Sequence, residues 1–369
     1  MTQAIQSLHE NARKNIAPAQ MCERDIGCGG SPLVRIGSVG LGRLGMVHAR
    51  NIASKIPGAR LAAICDLNQA HLEKTAEELG GVKTFSDFTE MAAWDGIDAL
   101  CIASPSPLHS EHVRIALENG KHIFCEKPLG VTIDECKASE ALAGAHPELV
   151  FMMGFMRRFD PSYAYAKQKV DAGEIGRIIL FRSYSQDPLN LIDEFLAYAP
   201  HSGGQFLDMS VHDIDLARWF TGKEPKTVWS IGGCYAYPEL AQYKDGDNVG
   251  CLMKFEDDTM AFLLAGRTAP HGYNIETEII GTKGTLRIAS VPQKNLVEIL
   301  DEGGVRRECS QNFRERFEQA FVAEMTEFVS CIREGRKPSA GVLDGRRVLE
   351  VANACKESFE TGELVSINN

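Results

Sequence analysis

Val34-Arg35-Ile36-Gly37-Ser38-Val39 runs straight into Gly40-Leu41-Gly42-Arg43-Leu44-Gly45, and this stretch decides the fold. An apolar strand entering such a turn needs the first glycine for tight backbone geometry. The second glycine lets a pyrophosphate approach the backbone, and the third lets the following helix pack on the strand. A second apolar run, Leu61-Ala62-Ala63-Ile64-Cys65, ends at Asp66. That is about 20 residues further on, where a carboxylate can accept hydrogen bonds from a ribose diol. The same carboxylate repels a 2′-phosphate, so the pattern reads as NAD rather than NADP. Asp66 as a mere cap for the helix near Asn68 is the structural alternative.

Outward from this turn, apolar runs alternate with helical patterns from Leu33 to about Gly154. Strands are expected near 34–39, 60–65, 97–103, 121–125 and 149–153, and helices near 44–56, 68–80, 108–119 and 132–144. This alternation predicts an α/β fold that begins with a doubly wound parallel sheet of the Rossmann type. A ligand crevice then belongs at the carboxyl ends of the strands, where Gly40 to Gly45, Ser104 to His109 and Cys125 to Leu129 lie.

Beyond Phe155 the rhythm changes. Helices are expected near 161–172 and 205–220, and strands near 177–187, 226–236, 248–256, 259–267, 274–280, 284–289 and 296–300. Two closing helices follow near 314–334 and 344–361. The pattern predicts an α+β second domain with an open, largely antiparallel sheet. The resulting division is an N-terminal extension over 1–32, a dinucleotide-binding domain over 33–155, and a substrate-binding and oligomerisation domain over 156–369.

Bulk properties fit this reading. A chain of 369 residues exceeds the size of a typical single core. A net charge of −11 disfavours nonspecific contact with nucleic acid or an anionic membrane. No apolar stretch is long enough to span a bilayer and no secretion signal is apparent, so a cytoplasmic location is expected. The 11 cysteines sit mostly inside apolar runs and read as reduced core thiols, with no spacing that suits zinc.

Two segments carry residues suited to chemistry. Lys127, in Glu126-Lys127-Pro128 after the strand His122-Ile123-Phe124-Cys125, can hydrogen-bond a substrate hydroxyl and support negative charge on its oxygen. A cis bond before Pro128 suits such a site; a solvated lysine in a turn is the plain alternative. In Gly203-Gly204 through Leu216, Asp208 and His212 stand four apart. On one helix the carboxylate would orient an imidazole able to take a proton, although a local structural pair has the same spacing. Asp215 is expected to face Arg218, and one histidine among aspartates is a poor transition-metal set, so no metal is expected. Of Arg157 and Arg158, one is expected to line the pocket and the other to brace the interdomain corner. Polar residues of Gly266 to Tyr273 suit either a polyol pocket or an ordinary loop.

These motifs, together with Gly154-Phe155-Met156-Arg157-Arg158-Phe159-Asp160, resemble those of the Gfo/Idh/MocA oxidoreductases, and among them the bacterial inositol 2-dehydrogenases. The resemblance runs from about residue 33 to the end. It implies NAD-dependent oxidation of a ring hydroxyl of a cyclic polyol, with myo-inositol first and its stereoisomers or a related sugar behind it. Lys127, Asp208 and His212 would form the catalytic set, and Met156, Arg157 and Tyr273 would join them on the substrate. Gly40, Leu41, Gly42, Arg43, Leu44, Gly45, Asp66, Ser104, Glu126 and Lys127 would hold the cofactor. Homotetramers built by packing the open sheets together are also implied. An NAD-requiring glycosidase on the same scaffold is the second reading, and a nucleotide-sensing protein without catalysis the third.

Overall fold

Val34–Val39 becomes β1, an inner strand of a six-stranded sheet, in the computed structural model, which describes residues 32–289 and 293–367. The expected extension, through Ser31, lies outside the described residues. After β1 come α1 (Arg43–Ser54), β2 (Ala59–Cys65), α2 (Gln69–Glu78), β3 (Lys83–Phe85), α3 (Phe88–Ala93) and β4 (Ala99–Ile102). α4 (His109–Glu118), β5 (His122–Glu126), α5 (Ile133–Ala145) and β6 (Phe151–Gly154) complete this half. All pairings are parallel, in the order β3-β2-β1-β4-β5-β6. The strand order reverses between β1 and β4, which is where such sheets open a crevice. β4 and β6 are buried throughout and β1 and β5 nearly so, which explains their unbroken apolar runs. The short edge strand β3 and the six-residue α3 were not anticipated, because neither is long enough to show a period.

The second half contains α6 (Pro161–Asp171), β7 (Ile178–Pro188), α7 (Ile192–Ser202), α8 (Gln205–Asp208), α9 (Ser210–Thr221), β8 (Pro225–Gly233), β9 (Asn248–Phe255), β10 (Met260–Ala269), β11 (Asn274–Gly281) and β12 (Thr285–Ile288). It ends with β13 (Glu298–Asp301), β14 (Gly304–Arg307), α10 (Phe313–Glu334), α11 (Val342–Thr361) and β15 (Val365–Ser366). The large sheet runs β12-β11-β7-β10-β9-β8-β15, and only the β7–β10 pair is parallel.

Two expectations need correction. The run near 296–300 does not join this sheet: β13 pairs with β14 in a separate hairpin. Most of its residues face solvent, so no core fixes it to the larger sheet. The helix expected over 205–220 is two helices, broken at Met209.

α9 lies under the inner face of the large sheet and is buried from Ser210 to Arg218. α10 returns to the first sheet, where Met325, Phe328, Val329 and Cys331 pack with Ile36, Ile64, Cys101 and Phe124. The chain therefore closes over both sheets and leaves the carboxyl ends of β1, β4 and β5 facing β7 and β10 across a cavity. Among the described residues no helix is long and apolar enough to cross a membrane.

Candidate active site

The glycine turn forms the floor of this cavity. Gly40 has φ of +82°, and a Cβ there would lie 2.5 Å from the Ala103 carbonyl oxygen. A Cβ on Gly45 would come within 1.7 Å of the Gly40 oxygen, so the fold itself demands both glycines. Gly42 differs: a Cβ there would meet nothing within 4 Å. The space above it belongs to the cavity, and α1 starts from Gly42 with no side-chain cap and no acidic residue in its first turn. Unspent amide donors at that helix end suit a phosphate.

Asp66 sits on the wall at the tip of β2, where its two carboxylate oxygens accept from the Leu41 amide (2.8 Å) and the Asn68 amide (2.9 Å). Asn68, not Asp66, caps α2. Gly40, Gly42, Arg43, Leu44, Ser104, Glu126 and Lys127 line the cavity. Leu41 and Gly45 lie behind the wall, Leu41 with its side chain in the core.

Opposite this floor, charged side chains converge. The Lys127–Pro128 bond is cis. Lys127 Nζ donates to the Asp208 carbonyl at 2.8 Å and stands 3.6 Å from Asp208 Oδ1. Asp208 Oδ2 accepts from Arg267 Nη2 at 2.6 Å, and Arg267 Nη1 pairs with Asp187. The Arg267 guanidinium lies over the Phe195 ring, 3.3 Å from its centroid. Burial works against the Asp208 charge, but Lys127 and Arg267 together hold its carboxyl below the usual range. Burial pushes the Asp187 carboxyl up.

His212, from α9, reaches the same cavity. Burial pushes its imidazole well below the ordinary value, and the nearby charges of Arg157 and Lys127 push the same way. The ring is therefore neutral near pH 7. Its Nδ1 is buried with no hydrogen-bond partner among the described residues.

The expected Asp208–His212 pair is not formed. The break at Met209 turns Asp208 toward Lys127 and Arg267, so the aspartate orients the lysine instead of the imidazole. Asp215 does not face Arg218 either. Arg158 takes Asp215, with Nε 2.8 Å from Oδ2, while Arg218 reaches Glu224 at 2.7 Å and Asp344 at 3.0 Å. Inside a buried helix the partner arriving from another element wins over the local spacing. Arg157 donates to Asp213 (2.7 Å) and Ser185 (2.9 Å) while lining the cavity, and Arg158 braces the junction. Met156 and Tyr273 are buried on the same wall.

Asp187 was not anticipated, nor were Phe195 and Tyr198 as individual residues, although the stretch from Pro188 to Ser202 was expected to border the pocket. All three line the cavity, two of them from α7, a helix the sequence reading left unassigned. Glu194 of α7 forms an exposed ion pair with Arg43, and Tyr198 shares the cavity wall with Ser106. α7 thus leans on both loops of the floor. The cavity measures about 1180 Å³, above the usual range for one small ligand and suited to a dinucleotide with a second molecule.

Comparison with known proteins agrees with this layout. Residues 34–155 match the model of an oxidoreductase family with an NAD-binding Rossmann fold, and residues 163–287 match the GFO/IDH/MocA C-terminal domain. The scyllo-inositol 2-dehydrogenase (NAD(+)) of Bacillus subtilis is 37% identical over 335 residues, covering 91% of this chain and 96% of that protein. The chain belongs to the Gfo/Idh/MocA oxidoreductase family.

Among solved family structures, the scyllo-inositol dehydrogenase of Lactobacillus casei with bound NAD(H) and scyllo-inositol is 49% identical. Its TM-score is 0.88, with 91% of this chain and 99% of that one covered. The myo-inositol 2-dehydrogenase of Lactobacillus plantarum is 40% identical with the same TM-score, covering 91% of this chain and all of that one, 100%. In this Gfo/Idh/MocA chain the cavity draws on both matched segments, and Met156 to Arg158 fall between them.

Proposed function

We propose that the protein is an NAD-dependent inositol 2-dehydrogenase that oxidises one ring hydroxyl of a cyclic polyol to a ketone. The observation that carries this reading is a buried neutral imidazole, His212, sharing one cavity with Lys127 and with the open glycine turn. The residues present fit the dinucleotide: Gly42 leaves room above the start of α1, and Asp66 offers carboxylate oxygens at a strand tip. When bound, NAD supplies the acceptor for the hydride that leaves the ring carbon.

The chain's own groups manage the proton and the charge. Neutral His212 takes the hydroxyl proton, a task an imidazolium cannot perform. The Lys127 ammonium stabilises negative charge on that oxygen, and Asp208 anchors the ammonium through both its carbonyl and its carboxylate. Arg157, Tyr273, Met156 and Asp187 are the groups left to hold the other hydroxyls. We place scyllo-inositol ahead of myo-inositol, because the Lactobacillus casei and Bacillus subtilis relatives carry that name at 49% and 37% identity.

A panel of inositol stereoisomers and aldoses assayed with NAD and with NADP tests the reading. NADH growth with scyllo- or myo-inositol is expected. Glycoside cleavage without net NADH, or no turnover of any polyol between about pH 6 and 10, would replace it.

We also propose a cytoplasmic homotetramer. Trp229, Ile231, Leu252 and Met260 are exposed on the outer face of β8–β10, and Trp229 and Phe262 both flank Leu252 across the strands. An apolar stripe of this kind calls for cover by a second copy. Light scattering of the purified protein should give four copies, and a monomer would refute the assembly.

A further inference from the structure

Below the turn that carries Lys127 lies a second polar cluster, which meets the cavity only through Glu126 and takes no part in the proton transfer above. His48 of α1 places Nε2 2.8 Å from Glu126 Oε1, and Glu126 Oε2 accepts the Lys127 backbone amide at 3.2 Å. Glu324 of α10 completes the group, with one side-chain heteroatom from each of the three residues within 4.8 Å of the others. Glu324 is 0% exposed, and neither of its oxygens has a hydrogen-bond partner among the described residues. The rings of Phe124 and Phe321 meet His48 edge-on and keep the surroundings apolar.

Two carboxylates this close in an apolar enclosure do not both stay ionised. Glu126 has two donors, His48 and the Lys127 amide, whereas Glu324 has none. The proton therefore belongs on Glu324. Burial, with Glu126 adding to it, pushes the Glu324 carboxyl well above the ordinary range. Other titratable groups that sense the pair are the Cys101 and Cys125 thiols, pushed up by burial and by the carboxyls, and the His109 imidazole, pushed down by burial, so none brings a positive charge near neutral pH.

We propose that Glu324 is a positioning residue: as a neutral acid within 4.8 Å of the Glu126–His48 pair, it turns its O–H, unpaired in this structure, to donate to Glu126, and through Glu126 it fixes the Lys127–Pro128 turn against the cavity. Glu324 touches neither substrate nor cofactor. The proposal rests on the role given to Lys127, and its test includes two readouts that need no polyol.

Infrared difference spectra of the full-length protein, wild type minus Glu324→Gln, should show the carbonyl stretch of a protonated carboxyl at neutral pH. Glu324→Gln keeps a neutral donor of the same shape, so turnover should stay within about threefold of wild type. Glu324→Leu removes the donor, and kcat should fall at least about tenfold while NAD affinity stays within about threefold. Absence of the carboxyl band, wild-type turnover in Glu324→Leu, or equal loss in both variants would overturn the proposal. So would one equivalent of divalent metal in the purified protein by elemental analysis, which would make the cluster a cation site. If Glu324→Leu does not fold, the infrared band and the Gln variant decide. Should the wild type oxidise no polyol, the band and the metal content still judge the cluster apart from the function.

Discussion

The cavity has two unlike sides. Its floor is mostly backbone: three glycines, the start of α1 and strand tips, with Asp66 as the main charged contribution. Its roof is mostly side chains: Lys127, Asp208, Arg267 and Asp187 in one chain of charges, Arg157 on Asp213, and a neutral His212 among them. The floor is specified by local spacing and admits little variation, because Gly40 and Gly45 are walled in by backbone atoms. The roof is assembled from β5, β7, α8, α9 and β10, so its chemistry depends on elements far apart in the chain meeting correctly. Generic cofactor binding and particular substrate chemistry are thus built from different materials.

The sharpest way to test that division is to damage the roof alone. His212→Ala should lower kcat by about 10³-fold, since it removes the only proton acceptor proposed, while NAD binding by fluorescence titration stays within about threefold. A comparable loss of NAD affinity would show that the two sides are not separable. Lys127→Ala should cost about 10²-fold in turnover with NAD affinity again little changed, and near-normal turnover would remove the lysine from the catalytic set. On the floor, Asp66→Ala should erode the preference for NAD over NADP by about tenfold. An unchanged ratio of kcat/KM values would assign cofactor choice to another residue.

Acidity probes the two sides together. Because burial lowers the His212 pKa, its neutral form persists as the pH falls through the ordinary imidazole range. The acid limb of kcat/KM should therefore lie clearly below about pH 6.5. Stability moves the other way. Below about pH 6.5 the unfolded chain takes up protons that the folded imidazole refuses, so stability drops as pH falls. His112, lowered to about 4 mainly by burial, adds to the effect, and the thermal midpoint should fall steadily between about pH 6.5 and 4. The smallest effect is expected at the mouth, where Glu194→Gln breaks an exposed pair with Arg43 and should change NAD release by about twofold at most in stopped flow.

The same division explains what could be read in the sequence. The glycines and Asp66 announce themselves because each does its work within one strand-turn-helix unit. The second sheet was legible from its alternating strands. The partner of Asp208 was not, because the helix is interrupted at Met209 and the aspartate is redirected, and nothing in the spacing of 208 and 212 reveals it. Asp215 misled for a related reason: Arg218 is nearer along the helix, but Arg158 arrives from the domain junction. Asp187 ends a strand without any local mark, and its role depends wholly on Arg267 from β10. α7 escaped because Pro200 interrupts its last turn and its floor contacts come from the other half of the molecule. Leu296 and its neighbours read as a sheet strand, but the hairpin they lead into has no core face.

The lone parallel pair of the large sheet has a practical consequence. Because β7 and β10 run side by side in one direction, Asp187 and Arg267 emerge at a common edge, where both line the cavity. Stereochemical taste can therefore be re-engineered by swapping the tips of those two strands between homologues, leaving the nucleotide half and the exposed outer face of β8–β10 untouched.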